Sequence, residues 1–320
     1  HPFIHTFLQT FMFIILLAVP RVFIRGNFGV SAGIPLTCMP NFIQIRLAVF
    51  FAMLEADIVL GHAKGEEEGP VVPIMAHPPA TTSDLTLVEF MRTVAQHNAV
   101  SARPKGIKLD FKSIEAFEKS QDLRFLFVNI PSITFPIWLN ADILPGPVEA
   151  TTVPVDPIKF IGLGSRHPRA VLSIGWTTNY GGNVTEGEYS REQIGAMLRM
   201  VNELHVNQTV TFPVRAGLAS NSQPVLLDLL RETSSLNSSM TVWSSEGDAV
   251  EVDRLKALIL TVGLERTYLD VPEHLAAKLH LPPPDSLCIL SDFPKRRRFS
   301  IRRVCFCFYS LTTIYLHLNS

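Results

Sequence analysis

The chain has 320 residues, of which 47% are hydrophobic and 18% are charged, and its formal net charge is -1. This composition is typical of a folded chain with a sizeable core rather than of a disordered one. A net charge near zero excludes bulk electrostatic attraction to nucleic acid, so we expect no nucleic-acid partner. None of the four cysteines lies between residues 53 and 277, so a core built from that region needs no disulfide.

Residues 1–52 differ in character from the residues that follow. Residues 7–20 read FLQTFMFIILLAVP, an apolar run shorter than the roughly 20 residues of a membrane-spanning helix. The run resembles the apolar part of a signal peptide, although no basic segment precedes it. A signal or anchor, a packed hydrophobic arm and a non-native sequence all stay open. His1 in place of a methionine favours a fragment, a processed chain or a gene model with a missing start.

Residues 53–280 alternate short apolar runs with helical patterns, which predicts βα units and a parallel sheet. The predicted strands are 53–60, 73–78, 106–112, 135–142, 170–177, 209–216, 240–245 and 267–272. The predicted helices are 85–100, one that begins after Ser190, 225–230, and 250–262 with Gly263 as its end. Seven of these strands predict an α/β fold, a TIM-type (β/α)₈ barrel that lacks its first strand in this chain. In a complete barrel that strand should precede Met53.

Residues 281–320 form a third region, which is rich in proline, then basic, then rich in cysteine and aromatic residues. Its basic run, KRRR at 295–298, could be an address or a lipid-binding patch. The alternative is a non-native extension with no folded role.

The predicted strand at 106–112, GIKLDFK, carries charge on one face only, because side chains alternate along a strand. Its apolar residues should meet the helices. Lys108, Asp110 and Lys112 then point into the barrel, where charges without partners are costly.

Polar side chains recur at the ends of the neighbouring strands. Glu55 and Asp57 lie two residues apart and share a face. The other candidates are Asn140, Asp142, Trp176, Arg215, Trp243 and Asp270. Carboxylates that meet at one end of a barrel repel one another unless a cation lies among them, and oxygen ligands suit Mg²⁺ or Ca²⁺. We therefore predict a divalent-cation site at the strand ends, where this fold carries its chemistry.

Other interpretations stay open for single residues. Asp142 and Asp270 could cap loops or helices instead of facing a ligand. His77 could be a buried, hydrogen-bonded histidine. Each of the three tryptophans is more often a core residue than a site residue.

Several segments, taken in order, resemble the menorin family. They are MLEADIVL, PIMAHPP, GIKLDFKS, PIWLNADILPGP, LSIGWTT, VTFPVRA and TVW, between residues 53 and 272. The run WLNADILPGP at 138–147 is long enough to be specific. The family is in turn similar to the glycerophosphodiester phosphodiesterases and phospholipase D toxins, which implies a TIM-type barrel and a metal-dependent site.

The resemblance implies roles for individual residues. In those enzymes a Glu-x-Asp pair and a further carboxylate bind the metal, which here implies Glu55, Asp57 and Asp110. Lys112 would neutralise charge on a phosphodiester, and His77 would act as a general acid or base. The remaining candidates for substrate binding are Lys108, Asn140, Asp142, Trp176, Arg215 and Trp243.

The enzymes also carry a histidine on strand one. No matching segment is found here, since His1 and His5 lie in the apolar region. Loss of a general acid or base typically costs about 10²–10⁴-fold in rate. We therefore predict that this chain is catalytically poor or inactive.

Two classes of function follow. The first is a metal-dependent phosphodiesterase or lyase that acts on a lipid or related phosphodiester. The second is a recognition module without catalysis, because menorins are linked to dendrite branching with cell-surface protein partners. Sequons at Asn183, Asn207 and Asn237, with the apolar N-terminal region, favour a secreted protein. A cytoplasmic location is the alternative, since the core has no disulfides.

Overall fold

The computed structural model describes residues 23–26, 53–66, 68–101, 104–121 and 135–281. The apolar run at 7–20 and the tail beyond residue 281 lie outside the described residues, as do His1 and His5. Among the helices that are described, none combines the length and the apolar character that a membrane crossing requires.

The described strands form one sheet whose main path contains parallel neighbours only. In order along this path they are β1 (Phe23–Gly26), β2 (Met53–Ala63), β5 (Gly106–Phe111), β6 (Ile137–Leu144), β7 (Val171–Trp176), β8 (Val210–Arg215), β9 (Ser239–Trp243) and β10 (Thr267–Asp270). Two short strands pair with β2 away from this path, namely β3 (Val72–Met75), which is antiparallel, and β4 (Thr82–Ser83), which is parallel. Chain order and spatial order agree along the main path, as in a (β/α)₈ barrel.

The first strand of the barrel corrects one expectation from the sequence. The sequence pattern predicts a barrel whose first strand, due before Met53, is missing from this chain. The structure places it at Phe23–Gly26, paired with β2 from Phe23 opposite Met53 to Gly26 opposite Ala56. β1 and β10 come within 8 Å of each other between Cα atoms, so the curled sheet brings its two ends together. FIRG is too short, and contains a glycine, so it shows no clear strand pattern.

Helices follow the strands as a parallel barrel requires. They are α1 (Leu87–Val100), α2 (Ile114–Ser120), α3 (Pro157–Gly164), α4 (Arg191–Glu203), α5 (Ala216–Ala219), α6 (Gln223–Glu232), α7 (Val252–Val262) and α8 (Glu273–Leu279). The capping box predicted before α4 is confirmed, because the Ser190 and Gln193 side chains each accept from the other's backbone N–H. Gly263 ends α7 with a φ of 97°, a conformation that favours glycine. The sequence did not predict α2, α3, α5 or α8, all of eight residues or fewer.

A cluster of phenylalanines fixes the orientation of β5. The ring of Phe111 lies 4.6 Å from that of Phe117 on α2, which lies 4.5 Å from that of Phe160 on α3, between centroids. All three side chains are buried, together with Ile107 and Leu109 of the same strand face. Because side chains alternate along a strand, burial of this face turns Lys108 and Asp110 to the inside of the barrel.

Candidate metal centre

Three carboxylates from two adjacent strands meet inside the barrel. One oxygen from each of Glu55, Asp57 and Asp110 lies within 4.8 Å of the others. Asp57 stands opposite Asp110 in the parallel pairing of β2 with β5, and Glu55 lies one pleat before Asp57. The three residues are 3%, 2% and 6% exposed, so water does little to screen their mutual repulsion. The predicted convergence of these carboxylates is therefore present in the structure.

Lys108 lies beside this cluster and pairs with Glu55. Its Nζ is 2.9 Å from Glu55 Oε1, and both side chains are almost fully buried. Burial alone would lower the pKa of the Lys108 ammonium, but the carboxylates of Glu55, Asp270 and Asp110 outweigh it and raise the pKa. Lys108 is therefore a fixed positive charge beneath the cluster, with Asp270 of β10 as a further negative neighbour.

Lys112 bridges the other two carboxylates. Its Nζ is 2.9 Å from Asp57 Oδ1 and 2.6 Å from Asp110 Oδ2. The Lys112 side chain is 18% exposed, more than either carboxylate partner. Lys112 directly follows β5, and its side chain is the most exposed of the three.

A chain of hydrogen bonds across three strands fixes the orientation of Asp110. The Asn140 side-chain amide donates to Asp110 Oδ1 over 2.7 Å, and the Ser173 hydroxyl donates to Asn140 Oδ1 over 2.5 Å. Asn140 and Ser173 lie on β6 and β7 and are buried. The Asn140 amide donates at one end and accepts at the other, so it orients the Asp110 carboxylate.

Loss of the Ser173 hydroxyl should weaken the hold on Asp110. In Ser173→Ala the buried Asn140 Oδ1 loses its donor, so we expect the free energy of unfolding to fall by about 1–3 kcal/mol. Partners that orient metal ligands typically contribute about 10–100-fold to metal affinity. We therefore also expect weaker binding of Mg²⁺ or Ca²⁺, measured by calorimetric titration.

Thr211→Val is the matched control for this prediction. The Thr211 and Thr241 hydroxyls lie 2.8 Å apart, buried in the same barrel but outside the chain that ends at Asp110. This variant should lose comparable stability and keep its cation affinity. Equal cation affinities in Ser173→Ala and the wild type would contradict a positioning role for Ser173.

His77 lies close to the metal cluster in the backbone but faces solvent. The N–H of Ala76, its neighbour, donates to the Asp57 carbonyl over 3.1 Å. The ring of His77 is exposed, and its Nδ1 lies 2.7 Å from the Pro78 carbonyl. A carbonyl only accepts, so this contact requires the proton on Nδ1. In the neutral ring the lone pair is then on Nε2, which suits a base or an acceptor at the mouth. The alternative of a buried histidine is not what the structure shows.

Arg215 reaches the carboxyl end of β8, where a carboxylate clamps its guanidinium. Its Nε and one Nη each donate to Asp248 over 2.8 Å. Its other Nη donates to Thr178 Oγ1 over 3.3 Å, and the guanidinium stacks 4.8 Å from the centre of the Trp243 ring. This geometry ties the loop after β9 to the loop after β7. Arg215 and Trp243 therefore organise the mouth of the barrel.

Trp176 is not brought to the metal cluster. Ser173 faces inward on β7, so Trp176, three residues later, faces the helices. Its Nε1 donates to the Gln193 carbonyl over 3.3 Å, and its ring lies 5.3 Å from that of Tyr189. For this residue the core interpretation fits the structure and the substrate-binding one does not.

Asp142 points inward but stands apart from the three clustered carboxylates. A Cβ built on Gly175 of the next strand would lie 3.0 Å from Asp142 Oδ1. Burial raises the pKa of the Tyr189 hydroxyl, and the Asp142 carboxylate raises it further. Asp142 thus lies beside Gly175 of β7 and is not one of the three clustered carboxylates.

The cluster suits a hard divalent cation. All three groups that converge offer carboxylate oxygens, the ligand type that Mg²⁺ and Ca²⁺ prefer. Glu55 Oε2 is buried and makes no hydrogen bond. A buried carboxylate oxygen in that position is costly unless a cation or donor meets it. Four carboxylates, including Asp270, face the two ammonium groups of Lys108 and Lys112 here, which leaves negative charge in excess when all six are ionised.

Two residues of this region were not predicted from the sequence. Ser173 was available from the pattern of AVLSIGWT, because it is the one polar side chain between two apolar neighbours in a buried strand. Asp248 had no such signal. It lies in a loop, and only the three-dimensional course of the chain brings it to Arg215.

The strand order and the buried acidic cluster define the class of protein, an α/β barrel with a carboxylate centre between β2 and β5. Residues 43–276 match the family model for the menorin N-terminal domain. Protein FAM151B of Homo sapiens is 40% identical over 205 residues, which are 63% of this chain and 68% of that protein. The chain belongs to the menorin family.

One solved structure is similar in outline. It is the crystal structure of a protein from Galdieria sulphuraria that is provisionally assigned as a glycerophosphodiester phosphodiesterase. The alignment has a TM-score of 0.44 and 12% sequence identity, and it covers 82% of this chain and 97% of that chain.

Proposed function

We propose that this chain is a menorin-family protein that binds a divalent cation, Mg²⁺ or Ca²⁺, and recognises a phosphodiester at the mouth of its barrel. The observation that carries the proposal is the convergence of Glu55, Asp57 and Asp110 in a buried site with a Glu55 oxygen that has no hydrogen bond. Such a cation would supply electrostatic stabilisation to an anionic phosphodiester.

The residues of the chain have separate tasks in this proposal. Asp110 is held by Asn140 and presents its carboxylate to the cation. Lys112, which is partly exposed, offers a positive charge toward the phosphodiester. His77, with its proton on Nδ1, offers the Nε2 lone pair from the rim. In this proposal Asp110 binds the cation, Lys112 orients the phosphodiester and His77 accepts a proton.

We further propose that recognition outweighs turnover. β1 has the sequence FIRG, so it does not supply the strand-one histidine that the related enzymes use. The family resemblance supports a role outside the cell in neuronal patterning, with cell-surface protein partners. The second candidate is an active phosphodiesterase or lyase, which the cation site and the free Nε2 of His77 favour.

Binding and hydrolysis by the full chain test this proposal. Glycerophosphocholine is titrated in calorimetry with Mg²⁺, with Ca²⁺ and after chelation, and bis(p-nitrophenyl) phosphate reports turnover. We expect binding only with a cation, and turnover no faster than that of an Asp110→Ala control. A chain that binds neither cation nor phosphodiester would overturn the proposal. Cation-dependent turnover well above the control would instead establish the enzyme.

A further inference from the structure

The Lys112 ammonium pairs with two of the three carboxylates that converge at the proposed cation site. It lies 2.9 Å from Asp57 Oδ1 and 2.6 Å from Asp110 Oδ2. The contact with Asp110 is a charge-assisted hydrogen bond, and the contact with Asp57 is an ion pair at a similar distance. A divalent ion that takes the same two carboxylates competes directly with this ammonium.

The side chains around the centre are ordered by depth. Lys112 is 18% exposed, whereas the side chains of Asp110, Glu55 and Asp57 are 8%, 2% and 1% exposed. The Lys112 side chain is thus the most exposed of the four. A cation that enters from the solvent side meets Lys112 before it reaches the carboxylates.

The ammonium does not satisfy the whole cluster. Glu55 pairs with Lys108 through Oε1, and its buried Oε2 makes no hydrogen bond. One lysine charge also balances at most one of the two carboxylates that it bridges. The geometry is therefore that of a site neutralised in part by Lys112 and capable of accepting a larger positive charge.

We propose that Lys112 is an internal cation that closes the centre and exchanges with the divalent ion. When the exchange occurs, its ammonium leaves Asp57 and Asp110 and turns to the mouth, where it can pair with a phosphodiester. The cation therefore binds first and the phosphodiester second. This inference rests on the proposed function, because it concerns the order of events at the same site.

A neutral variant and a charge-conserving variant of Lys112 test the competition. The full 320-residue chain is titrated with MgCl₂ and separately with CaCl₂, as the wild type, Lys112→Met and Lys112→Arg. Removal of the competing charge should lower the Kd of Lys112→Met at least ten-fold, whereas Lys112→Arg keeps a charge and should bind no more tightly than the wild type. Lys119→Met removes the same charge from an exposed position of α2 and should leave the Kd unchanged.

The wild-type chain tests the order of binding without any variant that could fail to fold. Glycerophosphocholine should bind at least ten-fold more weakly after chelation than with the cation present. Without the cation, Lys112 stays paired with Asp57 and Asp110 and is not available to the phosphodiester. Equal affinity in both states would overturn the inference. So would a Lys112→Met variant that folds and binds the cation with the wild-type Kd or more weakly.

The outcomes separate the inference from the function on which it rests. A wild type whose phosphodiester binding requires the cation, together with a Lys112→Met variant whose cation Kd equals that of the wild type, keeps the proposed function and loses the exchange. A wild type that binds no cation, alongside a Lys112→Met variant that does, shows that the lysine replaces the metal permanently, which overturns both the exchange and cation binding by this chain. If neither the wild type nor Lys112→Met binds a cation, both proposals are wrong.

Discussion

Asp110→Ala should abolish the stabilisation that Mg²⁺ or Ca²⁺ gives to the folded chain. The variant removes one of the three converging oxygens and the acceptor that fixes the Asn140 amide. A ligand that binds only the native state stabilises it by about 2.7 kcal/mol when present at 100 times its Kd. Thermal unfolding with cation and after chelation measures this increment, which should be present in the wild type and absent from the variant.

Asp253→Ala is the control for this loss. Asp253 is an exposed carboxylate in the first turn of α7, outside the cluster. The variant removes one negative charge from the chain, as Asp110→Ala does, and should keep the full increment. A cation increment in Asp110→Ala equal to that of the wild type would exclude the carboxylate cluster as the binding site.

The central part of the site followed from the two-residue period of strands. Glu55 and Asp57 share a face on β2, and Asp110 shares the inward face of β5 with Lys108. Each of these strands has an apolar face that must be buried against helices, so the direction of the charged face is fixed without knowledge of the fold. The two-residue alternation of side chains along each strand is therefore sufficient to predict that these charges meet.

The period did not decide which face of the sheet the last residue of β7 occupies. Trp176 ends β7, and its side depends on whether Ser173 or Leu172 faces inward. Ser173 donates to Asn140 inside the barrel, which sends Trp176 outward. A small hydroxyl was the reliable marker of the inner face, and the large aromatic side chain was not.

Contacts between residues far apart in the chain also could not be predicted from the sequence. Arg215 has an obvious charge at a strand end, but Asp248 lies 33 residues later in a loop without a periodic pattern. The same holds for β1, where four residues pair with β2 across a long intervening stretch. Pairing of this kind depends on the closure of the barrel, which no local propensity encodes.

Removal of Asp248 should destabilise the fold more than removal of any surface charge. Arg215 is 8% exposed, and its guanidinium makes two donor contacts of 2.8 Å to Asp248. Asp248→Ala leaves that charge buried without its carboxylate, which typically costs about 3–5 kcal/mol. The variant also frees the loop after β9, because the Ser245 N–H donates to Asp248 Oδ2 over 3.0 Å. Urea unfolding followed by circular dichroism measures the loss.

A double variant separates the charge from the packing. Arg215→Met with Asp248→Leu removes both charges and keeps apolar volume, and such replacements of buried pairs are often neutral or stabilising. The double variant should therefore lose less stability than Asp248→Ala alone. If the two lost equal stability, the loop contacts of Asp248 would account for the effect. The other partners of the buried guanidinium, such as Thr178 and the Trp243 ring, would then be sufficient to stabilise it without a carboxylate.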